Sequence, residues 1–157
     1  MAQKYPGHFI TFEGVDGSGK TTQIGMLFNR LRDEKRELIV TREPGGTPIG
    51  EALRDLLLDI KSKDMLPLSE MLLYAAGRAQ HTGELILPAL ENGKIVLCDR
   101  YVDSSLVYQG QGRGLGMDAV IQVNRVATSG LTLANPQKQF MMKFTGWSRS
   151  KLIGKRG

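Results

Sequence analysis

The sequence predicts an α/β fold, a parallel sheet covered by helices on both faces, and three observations predict it. Short apolar runs alternate along the chain with stretches of helical periodicity, an order that calls for crossover helices and hence parallel strands. A glycine-rich segment joins the first apolar run to the first helical stretch, as a strand-loop-helix unit requires. The 157 residues, 41% of them hydrophobic, suffice for one compact core and are too few for two ordinary domains.

Each element can be justified in turn. His8-Phe9-Ile10-Thr11-Phe12 reads as a short buried strand. A helix from Gln23 to Leu31 follows, with Ile24, Leu27, Phe28 and Leu31 at i, i+3, i+4, i+7 on one apolar face. Leu38-Ile39-Val40 reads as a fully buried second strand. Ile49, Leu53, Leu56, Leu57 and Ile60 make the next apolar face. After a break around Pro67, the spacing of Leu68, Met71, Leu72, Ala75 and Ala76 is again helical, and Leu85 to Leu90 continue it to a stop at Asn92-Gly93. Ile95-Val96-Leu97-Cys98 is the third strand, and Asp118 is placed to cap a helix through Ala127 that ends at Gly130. In such a sheet ligands gather at the carboxyl ends of the strands.

Between the first strand and its helix, Gly14-Val15-Asp16-Gly17-Ser18-Gly19-Lys20-Thr21 matches the phosphate-binding pattern G-x-x-x-x-G-K-[ST]. The glycines let successive backbone N–H groups turn inward around phosphate oxygens, and the helix adds its positive N-terminal end. Lys20 is expected to reach the outer phosphates and the Thr21 hydroxyl to ligate Mg²⁺. Thr41 to Gly46 leaves the second strand and Asp99-Arg100-Tyr101 the third. Beside a phosphate loop, such an Asp can hold a Mg²⁺ shell and such an Arg can clamp phosphate. Without that loop the tripeptide would read as a surface ion pair. Tyr74 and Arg78 stand four apart on one helical face, which suits a base beside a phosphate and equally a helix-to-loop packing pair.

The formal charge of +5 is uneven. Up to Thr132 fifteen Lys and Arg face sixteen Asp and Glu, whereas residues 133–157 hold six basic residues and no acidic one. A basic irregular segment is more often a solvated appendage than a recognition surface, so nucleic acid is not the expected partner. No apolar run approaches membrane-spanning length, and Met1 to Pro6 carries no signal-peptide stretch, so the reading is a cytoplasmic protein without a membrane partner. Cys98, at the end of an apolar strand, reads as a small core residue rather than a nucleophile.

The stretches 12–22, 41–51, 72–81 and 99–110 together resemble bacterial thymidylate kinase, and the likeness covers His8 to Thr132 in the family's order and spacing. The resemblance implies a P-loop kinase with a five-stranded parallel sheet in the order 2-3-1-4-5. It implies transfer of the γ-phosphate of ATP to dTMP, giving dTDP for dTTP synthesis, with Mg²⁺, by a homodimer. It further implies that Gly14, Val15, Asp16, Gly17, Ser18, Gly19, Lys20, Thr21 and Thr22 bind ATP, and that Thr21 and Asp99 serve the metal. Asp16 would face the sugar 3′-hydroxyl of dTMP. Arg78 and Arg100 would clamp its phosphate, with Arg54 and Arg42 in support. Tyr74 would stack on thymine, Ser105 and Gln109 would hydrogen-bond the base, and Glu43 and Pro44 would line the pocket. Lys20, Asp16 and Arg100 would carry the chemistry.

Two features depart from the family pattern. Gly77 stands where the family often has an acidic residue beside the phosphate-binding Arg. After Thr132 the family continues into a buried strand, a basic lid and a final strand and helix, whereas here residues 133–157 form an aberrant basic segment following a nucleoside monophosphate kinase core over residues 1–132. The abrupt change is what a frameshifted or truncated reading frame would produce. Gly17 beside Asp16 goes with lid-supplied catalytic arginines in this family, so the expectation includes a catalytically impaired, nucleotide-binding remnant as the alternative function. Another nucleoside monophosphate kinase and a nucleic-acid module acting through the basic segment are the remaining alternatives. Losing the last two strands would leave Phe9 to Phe12 as an exposed apolar edge, to be covered by Gln139 to Thr145 or by self-association.

Overall fold

The computed structural model describes residues 5–106, 108–109, 114–131 and 142–143. The strands are β1 (His8–Glu13), β2 (Leu38–Arg42), β3 (Ile95–Asp99) and the two-residue β4 (Met142–Lys143). The helices are α1 (Lys20–Asp33), α2 (Pro48–Leu58), α3 (Pro67–His81), α4 (Leu87–Glu91), α5 (Val102–Ser105) and α6 (Met117–Ala127), with a 3₁₀ turn at Ile60–Ser62 and a π-helical segment at Thr82–Ile86 between α3 and α4.

All pairings are parallel and the strand order is β2-β3-β1-β4. β3 lies at the centre of β1 and β2, and its alternating side chains supply both halves of the core. Val96 and Cys98 pack with Phe9, Ile86, Ala89, Leu90, Tyr101 and Val102 on one face. Ile95 and Leu97 pack with Phe12, Ile24 and the half-buried Leu27, Phe28 and Leu31 on the other. A parallel sheet covered on both sides is thus what the sequence pattern demanded. Residues 142 and 143 pair with Phe12 and Glu13 on the free side of β1, inside the segment expected to cover that edge. The rest of that segment, and the basic residues after Thr132 apart from Lys143, lie outside the described residues.

β2 and Asp118 depart from expectation, and the apolar faces of α2 and α3 are only partly covered. β2 is not fully buried: it pairs with β3 alone, so Leu38 and Ile39 are half-buried and Val40 is 47% exposed. The apolar stripe of α2 is not core, because only Leu53 and Leu57 are half-buried, while Ile49, Leu56 and Ile60 are exposed. In α3 the stripe likewise splits: Met71 and Ala75 are buried, Leu68, Leu72 and Ala76 are not. Asp118 sits inside the first turn of α6, whose N-cap is Gly116, so it favours the helix through the dipole rather than as a cap. At α2 the cap follows the rule, with Gly50 N–H donating to Thr47 Oγ1 at 3.0 Å and Pro48 opening the helix.

Glu13 fastens the end of β1 to the segment after β3. Its buried carboxylate accepts from Tyr101 N–H at 2.7 Å and from the Ser104 hydroxyl at 2.6 Å. Burial pushes its carboxyl up from the ordinary value of 4.5, outweighing the two hydrogen bonds that favour the anion. A folded pKa above the unfolded one contributes stability that is present below about 4.5 and is lost as pH rises through the folded value. The variant Glu13→Gln should therefore gain in Tm relative to the wild type as pH rises from 4 to 8. Thermal unfolding over that range checks it, and a constant difference would contradict it.

Candidate functional site

The first part of the site is the loop after β1. Gly14, Gly17 and Gly19 have φ of 151°, 77° and 90°, conformations open to glycine, and Gly19 enters α1 in the left-handed region. The loop thus turns its backbone around the N-terminus of a helix with no acidic residue in its first turn. Lys20 is buried, its ammonium donating to the carbonyls of Gly14 and Val15, both at 2.9 Å. Thr21 and Thr22 are exposed at the helix start, and Val15 and Asp16 project from the loop tip. Two polar atoms are buried without a hydrogen-bond partner among the described residues: Ser18 Oγ in this loop and Asp99 Oδ1 at the end of β3.

The second part is a buried cationic network. The Arg78 guanidinium, 3% exposed, donates through Nε to Glu43 Oε2 at 2.7 Å. Its Nη1 donates to Ser105 Oγ at 3.0 Å and to Asn124 Oδ1, and its Nη2 to the Tyr101 carbonyl at 3.1 Å. The Tyr101 ring lies 5.4 Å beneath it. Glu43 Oε1 in turn accepts from His81 Nδ1 at 3.0 Å, since a carboxylate accepts only, and His81 Nε2 meets the Thr41 hydroxyl at 2.8 Å. Gly46 completes this shell. A Cβ there would lie 2.6 Å from both His81 Nε2 and Thr41 Oγ1, and φ is +85°.

The third part is a cavity of about 360 Å³ between the two. It gathers Asp16, Glu43, Arg54, Tyr74, Arg78, Arg100, Ser105 and Gln109, the residues the resemblance put around dTMP, along with Pro44. Arg100 adopts φ +68°, uncommon for a side-chain-bearing residue, and its guanidinium pairs with Asp16 and lies 5.9 Å over the Tyr108 ring. Arg54 is fixed by donation to the Pro44 carbonyl at 2.9 Å. Burial first, and then the nearby Glu70, push the Tyr74 phenol up, keeping it protonated. Arg42 lies apart from the cavity lining, paired at 2.8 Å with Glu51, whose other oxygen accepts from Gly46 N–H. Gly77 is buried within 3.6 Å of Leu53 for an added Cβ, and Arg78 is oriented by the partners above.

Sequence reasoning did not single out His81, Asn124 or Tyr108, and it named Tyr101 without giving it a role. His81 lies three residues after Arg78, hence beside it on the helix, a signal that was present. Asn124 carries none: it is a polar residue inside α6 whose amide is fixed by donation to the Val120 carbonyl at 2.8 Å.

The profile of the thymidylate kinase family matches residues 12–146, continuing the likeness past Thr132. The thymidylate kinase of Pelotomaculum thermopropionicum is 55% identical over 125 residues, 80% of this chain and 58% of that protein. That of Thermoanaerobacter pseudethanolicus is 52% identical over 150 residues, 96% of this chain and 72% of that protein. The crystal structure of thymidylate kinase from Ehrlichia chaffeensis superposes with a TM-score of 0.72 at 43% identity, covering 77% of this chain and 68% of that one. The chain spans somewhat over half the length of several of the curated relatives it matches. A phosphate loop, a doubly covered parallel sheet and this degree of identity have one common reading: the chain belongs to the thymidylate kinase family.

Proposed function

We propose that this chain phosphorylates dTMP to dTDP with ATP and Mg²⁺, in the cytoplasm and as a homodimer. The observation that carries the reading is the contact of Asp16, on the phosphate loop, with Arg100, in the wall of the neighbouring cavity. It supports the reading because a donor-phosphate cradle at the loop and an acceptor in the cavity would then meet at one point. Phosphoryl transfer asks little covalent chemistry of a protein, mainly positioning and neutralisation of charge.

The geometry supports the roles that the resemblance implies. The backbone of Gly14 to Gly19 and the first turn of α1, including Thr22, would hold the phosphates of ATP. Lys20, whose ammonium donates to the Gly14 and Val15 carbonyls, would neutralise their outer charge. Arg100 would exchange Asp16 for the acceptor phosphate, leaving Asp16 to the sugar hydroxyl. Arg78 would support the acceptor from the cavity floor, with Arg54 at the side. Tyr74 would stack on the base, and Ser105 and Gln109 would bond its edge. The unpartnered Asp99 Oδ1 and the exposed Thr21 hydroxyl are hard oxygen donors suited to Mg²⁺, which keeps waters and takes substrate phosphates as ligands. When bound, Mg²⁺ supplies neutralisation of the charge that builds on the transferring phosphoryl group. No helix among the described residues is long and apolar enough to cross a membrane. The apolar side chains left exposed on the adjoining α2 and α3, Ile49, Leu56, Leu68 and Leu72, support a second copy as their cover.

Three outcomes test the reading. A coupled assay with ATP and dTMP should give turnover that Lys20→Ala abolishes, with weaker ATP binding by calorimetry. Nucleotide binding without any transfer would put the impaired remnant in place of the enzyme. Arg100→Ala should damage use of dTMP far more than affinity for ATP and leave stability nearly unchanged. Arg78→Ala should damage dTMP use and also destabilise by about 3–5 kcal/mol, because it strands a buried Glu43 carboxylate. Equal stability of the two variants would contradict this division. Light scattering should give a dimer mass that Leu72→Asp shifts to monomer, and a monomeric wild type would remove the homodimer.

A further inference from the structure

We propose that Glu70 is a specificity-determining positioning residue. It holds the Gln109 amide so that a bare carbonyl oxygen is presented to the acceptor cavity, and thereby selects a base edge with a ring N–H, as in thymine, over one with a bare ring nitrogen, as in cytosine. The inference rests on the reading of that cavity as the dTMP site.

Gln109 lines the cavity and is 3% exposed. Its Nε2 donates to Glu70 Oε1 at 3.1 Å. A carboxylate accepts and cannot donate, so this bond fixes which end of the amide faces Glu70. Turning the amide over would set its carbonyl oxygen against the carboxylate, two acceptors face to face, and would forfeit the bond. The Gln109 Oε1 atom makes no hydrogen bond among the described residues, yet it is not one of the buried polar atoms cut off without a partner. It therefore remains open to the cavity as an acceptor. The second Nε2 proton remains as a donor beside it.

An unanchored glutamine could not discriminate in this way. Its amide is both donor and acceptor, and by turning over it suits either base. Polarity must be imposed from behind. Glu70 is placed to do so: it lies four residues before Tyr74, on the same face of α3. The stacking ring and the anchor of the edge-reading amide thus belong to one helix. A site whose polar groups are fixed rejects a mismatched edge because a buried group is then left unpaired.

The test is calorimetric binding of dTMP and 5-methyl-dCMP to the full chain, two ligands that share the methyl group and differ at the edge that Gln109 would read. The wild type should prefer dTMP. Glu70→Gln, whose amide can donate or accept, should narrow that preference about tenfold, with ATP affinity unmoved. Gln109→Leu should narrow it similarly, and adding Glu70→Gln to Gln109→Leu should change the ratio no further, since the two act as a unit. A wild-type preference for dTMP that survives Glu70→Gln overturns the proposal and leaves the dTMP site standing. So does an equal loss of both nucleotides in that variant, which marks general damage. A wild type that binds neither nucleotide overturns both the proposal and the reading beneath it.

Discussion

A guanidinium buried to 3% exposure is the constraint on which the site depends. Arg78 cannot be left unneutralised there, because an isolated charge in a low-dielectric interior is strongly disfavoured. Its partners come from several places in the chain: Glu43 after β2, Ser105 at the end of α5, Asn124 inside α6 and the Tyr101 carbonyl after β3. Satisfying one cation therefore fixes the relative positions of four segments that sequence alone leaves independent. Glu43 is itself held on its other oxygen by His81, one turn along from Arg78. The carboxylate thus bonds two residues of the same helix, which locks its plane as well as its position.

The two cavity arginines expected to share one role differ in exposure. Arg78 is 3% exposed and has most of its N–H groups committed, whereas the Arg100 side chain is 19% exposed and its guanidinium pairs with an Asp16 that is 96% exposed. The inner one is part of the scaffold, held by Glu43, Ser105, Asn124 and the Tyr101 carbonyl. The outer one holds a pair that water screens, the pair that the proposed acceptor phosphate would displace. Under the proposed reading the cavity would thus have a rigid floor and an exchangeable rim. Arg100 also adopts a left-handed φ, which sets the direction in which its side chain and the following segment leave β3.

The phosphate loop, the three longer strands and the helix from Pro67 were legible in the sequence because each is dictated by local rules: spacing, glycine placement and caps. The α2 stripe was legible as an apolar face, but periodicity does not report what covers such a face. Ile49 and Leu56 are as regular as a core stripe and are exposed within this chain. β2 misled, since Leu38-Ile39-Val40 has the composition of an inner strand and sits, among the described residues, at an edge. The cavity residues were gathered from separate stretches by resemblance. Asn124 was beyond reach, because its importance comes from a contact 46 residues away in sequence.

Register is what turns those separate stretches into one site. β1 and β2 both pair with β3 so that Phe12 and Arg42 lie level with Asp99. The ladder then runs one step beyond the strands: Glu43 N–H donates to the Asp99 carbonyl and Arg100 N–H to that of Phe12, both at 2.9 Å. Glu43 and Arg100 thus leave the sheet with their backbones already fixed. From there the left-handed turn at Arg100 brings Tyr101 N–H to the Glu13 carboxylate and its carbonyl to Arg78. A slip of one residue in either pairing would reverse every side chain about the sheet and draw these groups apart. The two faces of β3 meet different cores, Ile95 and Leu97 against Phe12 and Ile24, Val96 and Cys98 against Ile86, Ala89 and Leu90, and a slip would exchange side chains between these two packed environments. Core packing therefore sets the geometry of the charged site: the same side chains that bury the sheet decide where Glu43 and Arg100 begin.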